Sequence, residues 1–195
     1  MKKRSITIER KTTETAITMA FDLDGTGASH IQTGIGFFDH MLTLFAAHGL
    51  FNLTVTVAGD LHVDGHHTVE DVGICLGQAI RQTVGDGAGI YRYASGSFPM
   101  DDSLCVIAMD MGGRPYLQMA SIMPQSIGTF DTELVAEFFR SVVNHAGMNL
   151  YVDWPYKGNA HHVIEALFKG FGVLLDRATQ RDPRRNGVPS TKGTL

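Results

Sequence analysis

The chain has 195 residues, 44% of them hydrophobic and 18% charged, with a formal net charge of −4. That length allows one medium domain or two repeats of about 95 residues each. The balance excludes a disordered chain and a generally basic nucleic-acid binder, though not a local basic pocket. Two cysteines, Cys75 and Cys105, cannot build a disulfide framework or a Cys-based zinc site, which points to a reducing cytoplasm. No run of about 18 apolar residues is present, so no membrane span is expected. Residues 1–10 carry charges without the apolar stretch of a signal peptide. The nine histidines are clustered.

Ile17, Met19, Phe21 and Leu23 alternate with Thr18, Ala20, Asp22 and Asp24, the period of a half-buried strand. Asp24 to Gly27 reads as a turn and Ser29 to Thr33 as a return strand. Phe38, Met41, Leu42 and Phe45 fall at helical spacing within a helix from Phe37 to His48, closed by Gly49. Leu53, Val55 and Val57 form a strand ending at Gly59-Asp60, and Thr68 to Val84 reads as a helix. The second half repeats the order. Leu104 to Met111 is a strand, and a second lies near Tyr116 to Ala120. A helix follows from Glu133 to Asn144, then a strand from Met148 to Val152, and a helix from His161 to Thr179.

The repeat extends to individual residues. His48 to Val55 lies against His145 to Val152, His66-His67 against His161-His162, and Ala16 to Gly25 against Leu104 to Gly113. The chain is therefore expected to be α+β, with halves 1–93 and 94–195 together forming one catalytic domain.

The twice-occurring H-H-x-x-E carries the strongest chemical signal. Positions i and i+4 lie about 40° apart around a helix, so His66 with Glu70, and His161 with Glu165, face one way. His67 and His162 lie about 100° further round and point elsewhere, most simply to a second ion, while the i,i+3 pairing that other metal proteins use is the alternative. His40 matches Glu137 across the duplication. The pseudo-symmetric scheme gives one ion His40, His67, His161 and Glu165, and the other His66, Glu70, Glu137 and His162. Imidazoles and carboxylates without thiolates favour Mn or Fe over structural Zn. Asp39 and Asp71 are the expected acceptors fixing the histidine tautomers. His48 and His145 read as helix C-terminal residues.

Several stretches resemble the imidazoleglycerol-phosphate dehydratase family of histidine biosynthesis. They include Glu14-Thr15, Leu23 to Gly27, Thr33 to Leu42, Gly59-Asp60, His66 to Val72, His161 to Lys169 and Pro189 to Gly193. The resemblance covers essentially the whole chain. It implies two ribosomal-protein-S5-domain-2-like halves with helices sandwiched between two sheets. It also implies a 24-subunit homo-oligomer with two Mn2+ ions in each interface active site. Some members carry His where this chain has Glu137, and many have Asp-Asp where it has Asp64-Gly65.

The implied reaction is Mn-dependent dehydration of D-erythro-imidazole glycerol phosphate to imidazole acetol phosphate. The proton lost is not acidic by itself. Ring electrons of a metal-bound imidazolate expel hydroxide, and the diazafulvene so formed makes the neighbouring C–H acidic. Glu14, by the resemblance a substrate contact, and Glu165, on a metal-bearing helix, are the expected acid and base. Arg92, Arg114, Lys169, Ser190 and Lys192 form the phosphate pocket, and the C-terminal stretch orders over the phosphate. The substrate would also meet the ligand residues His40, His66, His67, Glu70 and His161. Two rival readings are weaker. Asp22 to Thr26 also resembles the D-x-D-G-T nucleophile motif of haloacid-dehalogenase-type phosphatases, which needs a buried parallel strand. A metal-storage cage would need no phosphate cations.

Overall fold

The computed structural model describes residues 3–194. The first half runs β1 (Ser5–Lys11), β2 (Thr15–Asp22), β3 (Ser29–Gln32), α1 (Gly36–Gly49), β4 (Asn52–Gly59) and α2 (His66–Val84). The second runs β5 (Tyr93–Met100), β6 (Ser103–Asp110), β7 (Tyr116–Met119), the short pair β8 (Ser126–Ile127) and β9 (Phe130–Asp131), α3 (Leu134–Ala146), β10 (Asn149–Tyr156) and α4 (Ala160–Thr179). The two four-stranded sheets share one topology, β1-β2-β4-β3 and β5-β6-β10-β7. In each the first three strands are antiparallel and the last pairs parallel.

The α+β duplication expected from the sequence is present, with two corrections. The edge strands β1 and β5 open each half and were missed. β1 mixes Ile6 and Ile8 with Glu9, Arg10 and Lys11, and β5 carries Gly96 and Pro99, so neither shows a strong apolar period. In addition, β3 is not the return arm of a hairpin. β4 lies between it and β2, and β3 runs parallel to β4 with Ser29 opposite Leu53. β2 pairs antiparallel on both sides, while Asp22 and Asp24 are paired with Lys3 and Arg4. A phosphatase nucleophile at the end of a parallel strand is thereby ruled out.

Alternation along the strands buries one face of each sheet. Ile17, Met19, Phe21, Leu53 and Val55 point inward in the first, and Cys105, Ile107, Met109, Leu150 and Val152 in the second. α1 and α2 cover the first sheet and α3 and α4 the second. The two helix layers then meet through α2 on α3 and α1 on α4, giving a sheet–helix–helix–sheet sandwich. Phenylalanines join the layers. Phe138 lies 5.3 Å from Phe38 across the layers and 5.3 Å from Phe168 within its own, and Phe45 lies 5.5 Å from Phe171 across them. Each such pair adds about 0.5–1.5 kcal/mol beyond its buried area, so the halves share one core.

The helix contacts repeat as the sequence does. A Cβ at Gly77 of α2 would sit 2.6 Å from the Val142 carbonyl oxygen and 3.1 Å from Ala146 N. At the duplicate position, a Cβ on Gly172 of α4 would sit 2.5 Å from the Phe45 carbonyl oxygen and 3.1 Å from Gly49 N. The end of α1 differs from expectation: the left-handed residue is Leu50 (φ 58°), not Gly49. Gly49 is needed because its Cβ would strike the Phe51 ring at 2.2 Å.

Candidate active site

All four helices present their chemical residues in the first turns. α4 starts at an Asn159 cap whose side chain accepts from His161 N at 2.8 Å. At α2 the Asp64 carboxylate accepts from His66 N at 2.7 Å, one residue earlier than a standard cap.

His40 of α1 meets His161 and Glu165 of α4, and their ligand atoms lie within 4.8 Å of one another. His161 Nε2 is 3.1 Å and His40 Nε2 is 3.7 Å from Glu165 Oε2. The spacing argument from H-H-x-x-E is realised here. Lys169 Nζ lies 2.5 Å from Glu165 Oε1. Burial pushes the Glu165 carboxyl up, but Lys169 and His161 together outweigh this and hold it below its ordinary value. A carboxylate held in this way is a good ligand and a poor proton donor.

His67 and His162 point elsewhere, and in parallel ways. His67 Nδ1 is 2.9 Å from Asp60 Oδ2, and His162 Nδ1 is 2.9 Å from Asp102 Oδ1. Their Nε2 atoms each stand 3.7 Å from a carboxylate oxygen, of Glu14 and Asp101 respectively. The carboxylate at Nδ1 raises both imidazole pKa values. It also fixes the tautomer that offers Nε2 to a metal. Asp60 and Asp102 thus take the role expected of Asp39 and Asp71. Asp39 instead accepts from Thr33 N and Oγ1 ahead of α1, and Asp71 binds Arg10 and Thr15. Both positioning residues were missed, although Asp102 falls on Glu14 at the offset matching Ala16 to Leu104. In the sequence Asp60 shows only as a strand end and within the Gly59-Asp60 stretch of the family resemblance, neither of which ties it to His67.

The third group lines a cavity of about 600 Å³ containing His66, Asp64, Asp131, Glu133 and Glu137. His66 and Glu137 are the duplicates of His161 and His40, so the pairing of α4 with α1 recurs between α2 and α3. Glu137 also pairs with Arg140 at 3.5 Å. Glu70 lies one turn beyond His66, half-buried, and is not drawn into an equivalent of the His161–Glu165 contact among the described residues. The eight expected ligands do not converge within one chain. Among the described residues, His40, His161 and Glu165 form the one cluster of this kind.

A second cavity of about 490 Å³ is lined by Arg92, Arg114, Ser190 and Lys192, four of the five residues expected at a phosphate. Lys169 is not among them, because it lies one turn from Glu165 and pairs with it. Arg92 grips Asp110 through Nε and Nη2 at 2.6 and 2.9 Å, which removes much of its charge from the cavity.

The imidazoleglycerol-phosphate dehydratase family model matches residues 33–175. The chain belongs to the imidazoleglycerol-phosphate dehydratase family. This is a family of hydro-lyases acting in histidine biosynthesis. The Acetivibrio thermocellus dehydratase is 54% identical over 98% of this chain and 99% of its own. The Geobacter metallireducens dehydratase is 53% identical over the same shares. The crystal structure of the Staphylococcus aureus dehydratase is 39% identical, with a TM-score of 0.83, covering 91% of this chain and 99% of that one. The Pyrococcus furiosus structure, solved in complex with (S)-C348, is 32% identical with a TM-score of 0.83, covering 96% and 100%. The dehydratase likeness therefore spans both halves. Among the described residues, no helix is long and apolar enough to cross a membrane.

Proposed function

We propose that the protein dehydrates D-erythro-imidazole glycerol phosphate to imidazole acetol phosphate, using two Mn2+ ions per site. The observation that carries this reading is the paired H-H-x-x-E on α2 and α4, with His67 and His162 each anchored at Nδ1 by an aspartate. The donor set fits the ions. His40, His161 and Glu165 offer two imidazoles and a carboxylate at one point. Asp60 Oδ1, beside His67, is buried without a partner while Oδ2 holds the imidazole, and this half-satisfied carboxylate suits added positive charge nearby. His40, His67, His161 and Glu165 would hold one ion, and His66, Glu70, Glu137 and His162 the other. When bound, the ions would supply Lewis acidity at the nitrogens of the substrate's imidazole ring.

Because His67 and His162 face away from the three-residue cluster, each ligand set is completed by another copy of the chain. This supports a homo-oligomer with interface sites, of 24 subunits in the family pattern. The phosphate is held by Arg114, Ser190 and Lys192, with Arg92 contributing its two uncommitted N–H groups. The reaction breaks the C–O bond on the carbon next to the ring and the C–H bond on its neighbour. Hydroxide and a proton leave as water, and the enol becomes the ketone. Glu14 would move that proton, a reading supported by its half-exposed carboxylate 3.7 Å from His67 Nε2. Glu165 is better fitted to ligate than to donate, since Lys169 and His161 keep it ionised. The absence of thiolate ligands and of disulfides suits a cytoplasmic enzyme.

The test is turnover by purified protein stripped with chelator and resupplied with Mn2+, following the enolisable ketone. Restored activity, abolished in His67→Ala and in His162→Ala, is expected. Stoichiometric Mn2+ uptake by a folded assembly without turnover would overturn the dehydratase reading in favour of a metal-holding cage.

A further inference from the structure

We propose that Asp110 is a positioning residue, which holds Arg92 as a latch for the C-terminal segment bearing Ser190 and Lys192. This deepens the dehydratase reading and rests on it for the identity of the substrate. Asp110 is the last residue of β6, and Arg92 stands immediately before β5. The Arg92 backbone is fixed on both sides: its N–H donates to Ala178 O at 2.8 Å, and its carbonyl accepts from Met111 N at 3.1 Å. It adopts φ 77°, a left-handed conformation that a non-glycine residue keeps only when its surroundings impose it. The side chain is fixed as firmly. Nε and Nη2 donate to the two Asp110 oxygens at 2.6 and 2.9 Å, a bidentate fork that sets the guanidinium plane. The guanidinium carbon also lies 4.6 Å over the Tyr93 ring.

Held in that plane, Arg92 directs Nη1 to the carbonyl of Pro189 at 2.8 Å. Pro189 has no N–H, so this carbonyl is its one main-chain polar handle. Among the described residues, the other main-chain tie between this stretch and the body is Gly89 N to Gly187 O at 2.9 Å. The remaining bonds there are internal: Ser190 N to Val188 O, Lys192 N to Ser190 Oγ, and Gly193 N to Ser190 O. The Pro189 carbonyl is therefore the tether nearest to Ser190 and Lys192, and its donor is oriented by Asp110. Gly112 belongs to the same device, since a Cβ there would sit 2.8 Å from Asp110 Oδ2 and 3.0 Å from Arg92 Nη2.

The test compares full-length Asp110→Asn with wild type. The amide turns one fork oxygen into a donor facing Arg92 Nη2, so the plane is released. Trypsin cleavage within residues 184–192, followed by mass spectrometry, should accelerate about tenfold or more. Inorganic phosphate should slow that cleavage in wild type and not in the variant. KM for imidazole glycerol phosphate should rise about tenfold with kcat changed by less than about threefold, the pattern of lost uniform binding. Gly112→Ala, which wedges the pair apart without touching either charge, should reproduce both effects. Wild-type cleavage rates in both variants would overturn the latch, and so would a kcat collapse with Mn2+ loss at unchanged KM. The protease readouts need no turnover, so failure of the dehydratase reading would show separately as a wild type inactive on the substrate.

Discussion

Replacing Gly77 by alanine tests whether the duplicated helix contacts hold the two halves of the site. The added Cβ would meet the Val142 carbonyl oxygen at 2.6 Å, where ordinary contact begins near 3.4 Å, so α3 must retreat by about 0.8 Å. The atom struck belongs to a hydrogen-bonded helix backbone and cannot rotate aside. Overpacking of this kind costs about 1–3 kcal/mol, against about 1 kcal/mol returned by the better helix propensity of alanine. The net loss is up to about 2 kcal/mol, or up to about 8 °C in Tm for a chain of this size, and relative to an alanine that meets no atom it is about 1–3 kcal/mol. Gly172→Ala, whose Cβ would meet the Phe45 carbonyl oxygen at 2.5 Å, should cost the same. Gly36→Ala is the control, because no atom lies within 4 Å of its Cβ position in α1 and it should be neutral or slightly stabilising. Differential scanning calorimetry on the metal-free proteins decides. A Gly77→Ala protein as stable as the Gly36→Ala control would refute the close-approach reasoning. A difference above about 2 kcal/mol between Gly77→Ala and Gly172→Ala would refute the equivalence of the two contacts. The displacement of α3 should also part Glu137 from His66, so Mn2+ affinity should fall in Gly77→Ala and not in Gly36→Ala.

Asp102→Asn should weaken Mn2+ binding about 10–100-fold, measured by chelator competition, because His162 loses the carboxylate that fixes its tautomer. Asp60→Asn should do the same through His67. The pKa of both histidines is raised, so protons compete with the metal to a higher pH than for a free imidazole. Apparent Mn2+ affinity should therefore keep rising above pH 6.5, and in the metal-free protein the stabilisation from these pairs should be lost as pH rises through the same range. Lys169→Met should shift acid unfolding, followed by circular dichroism, to higher pH. Glu165 is held below its ordinary 4.5, so its ionised form stabilises above that pH and the effect is lost as pH falls through the folded value. Burial pushes the thiols of Cys75 and Cys105 up to about 11 and about 12, so neither should react with iodoacetamide at pH 8 until the protein unfolds.

Most of the fold could be read from apolar periodicity, and the exceptions have physical causes. Central strands β2, β4, β6 and β10 each bury a face, and selection for that face writes a period of two into the sequence. β1 and β5 lie at sheet edges, where charged and polar residues guard against strand addition and blur the period. Pairing order was less legible. A turn at Asp24 to Gly27 suits a hairpin locally, but the parallel pairing of β3 with β4 is decided by tertiary contacts that no local pattern records. The extra hairpin β8–β9 interrupts the second half between β7 and α3 and has no partner in the first.

The site divides along the same line. Ligand residues are legible because a metal demands particular side chains at helical spacing, and duplication writes the demand twice. The residues that orient them are not, because an aspartate can reach a histidine ring from any neighbouring loop. Asp60 does so from the end of β4 and Asp102 from the β5–β6 hairpin, which are not equivalent positions. The equivalent of Asp102 is Glu14, and it faces the other side of its histidine, 3.7 Å from His67 Nε2. The duplicated frame thus carries a difference at its two hairpins. The second hairpin supplies both the clamp behind His162 and, in Asp101, a carboxylate 3.7 Å in front of it, whereas the first supplies the half-exposed Glu14 in front of His67. A symmetric pair of ion sites needs two clamps and no more. A reaction that removes a proton from one particular carbon needs one additional group, and Glu14 and Asp101 are the two carboxylates that face these imidazole Nε2 atoms. Glu14 differs from Asp101 in aligning with a histidine clamp of the other half, and exchanging the two aligned residue types, Glu14→Asp and Asp102→Glu, with kcat measured against Mn2+ affinity, tests whether it moves the proton. Loss of kcat at full metal affinity should follow the first exchange, and loss of metal affinity the second. The opposite assignment would place the proton-moving group on the second hairpin.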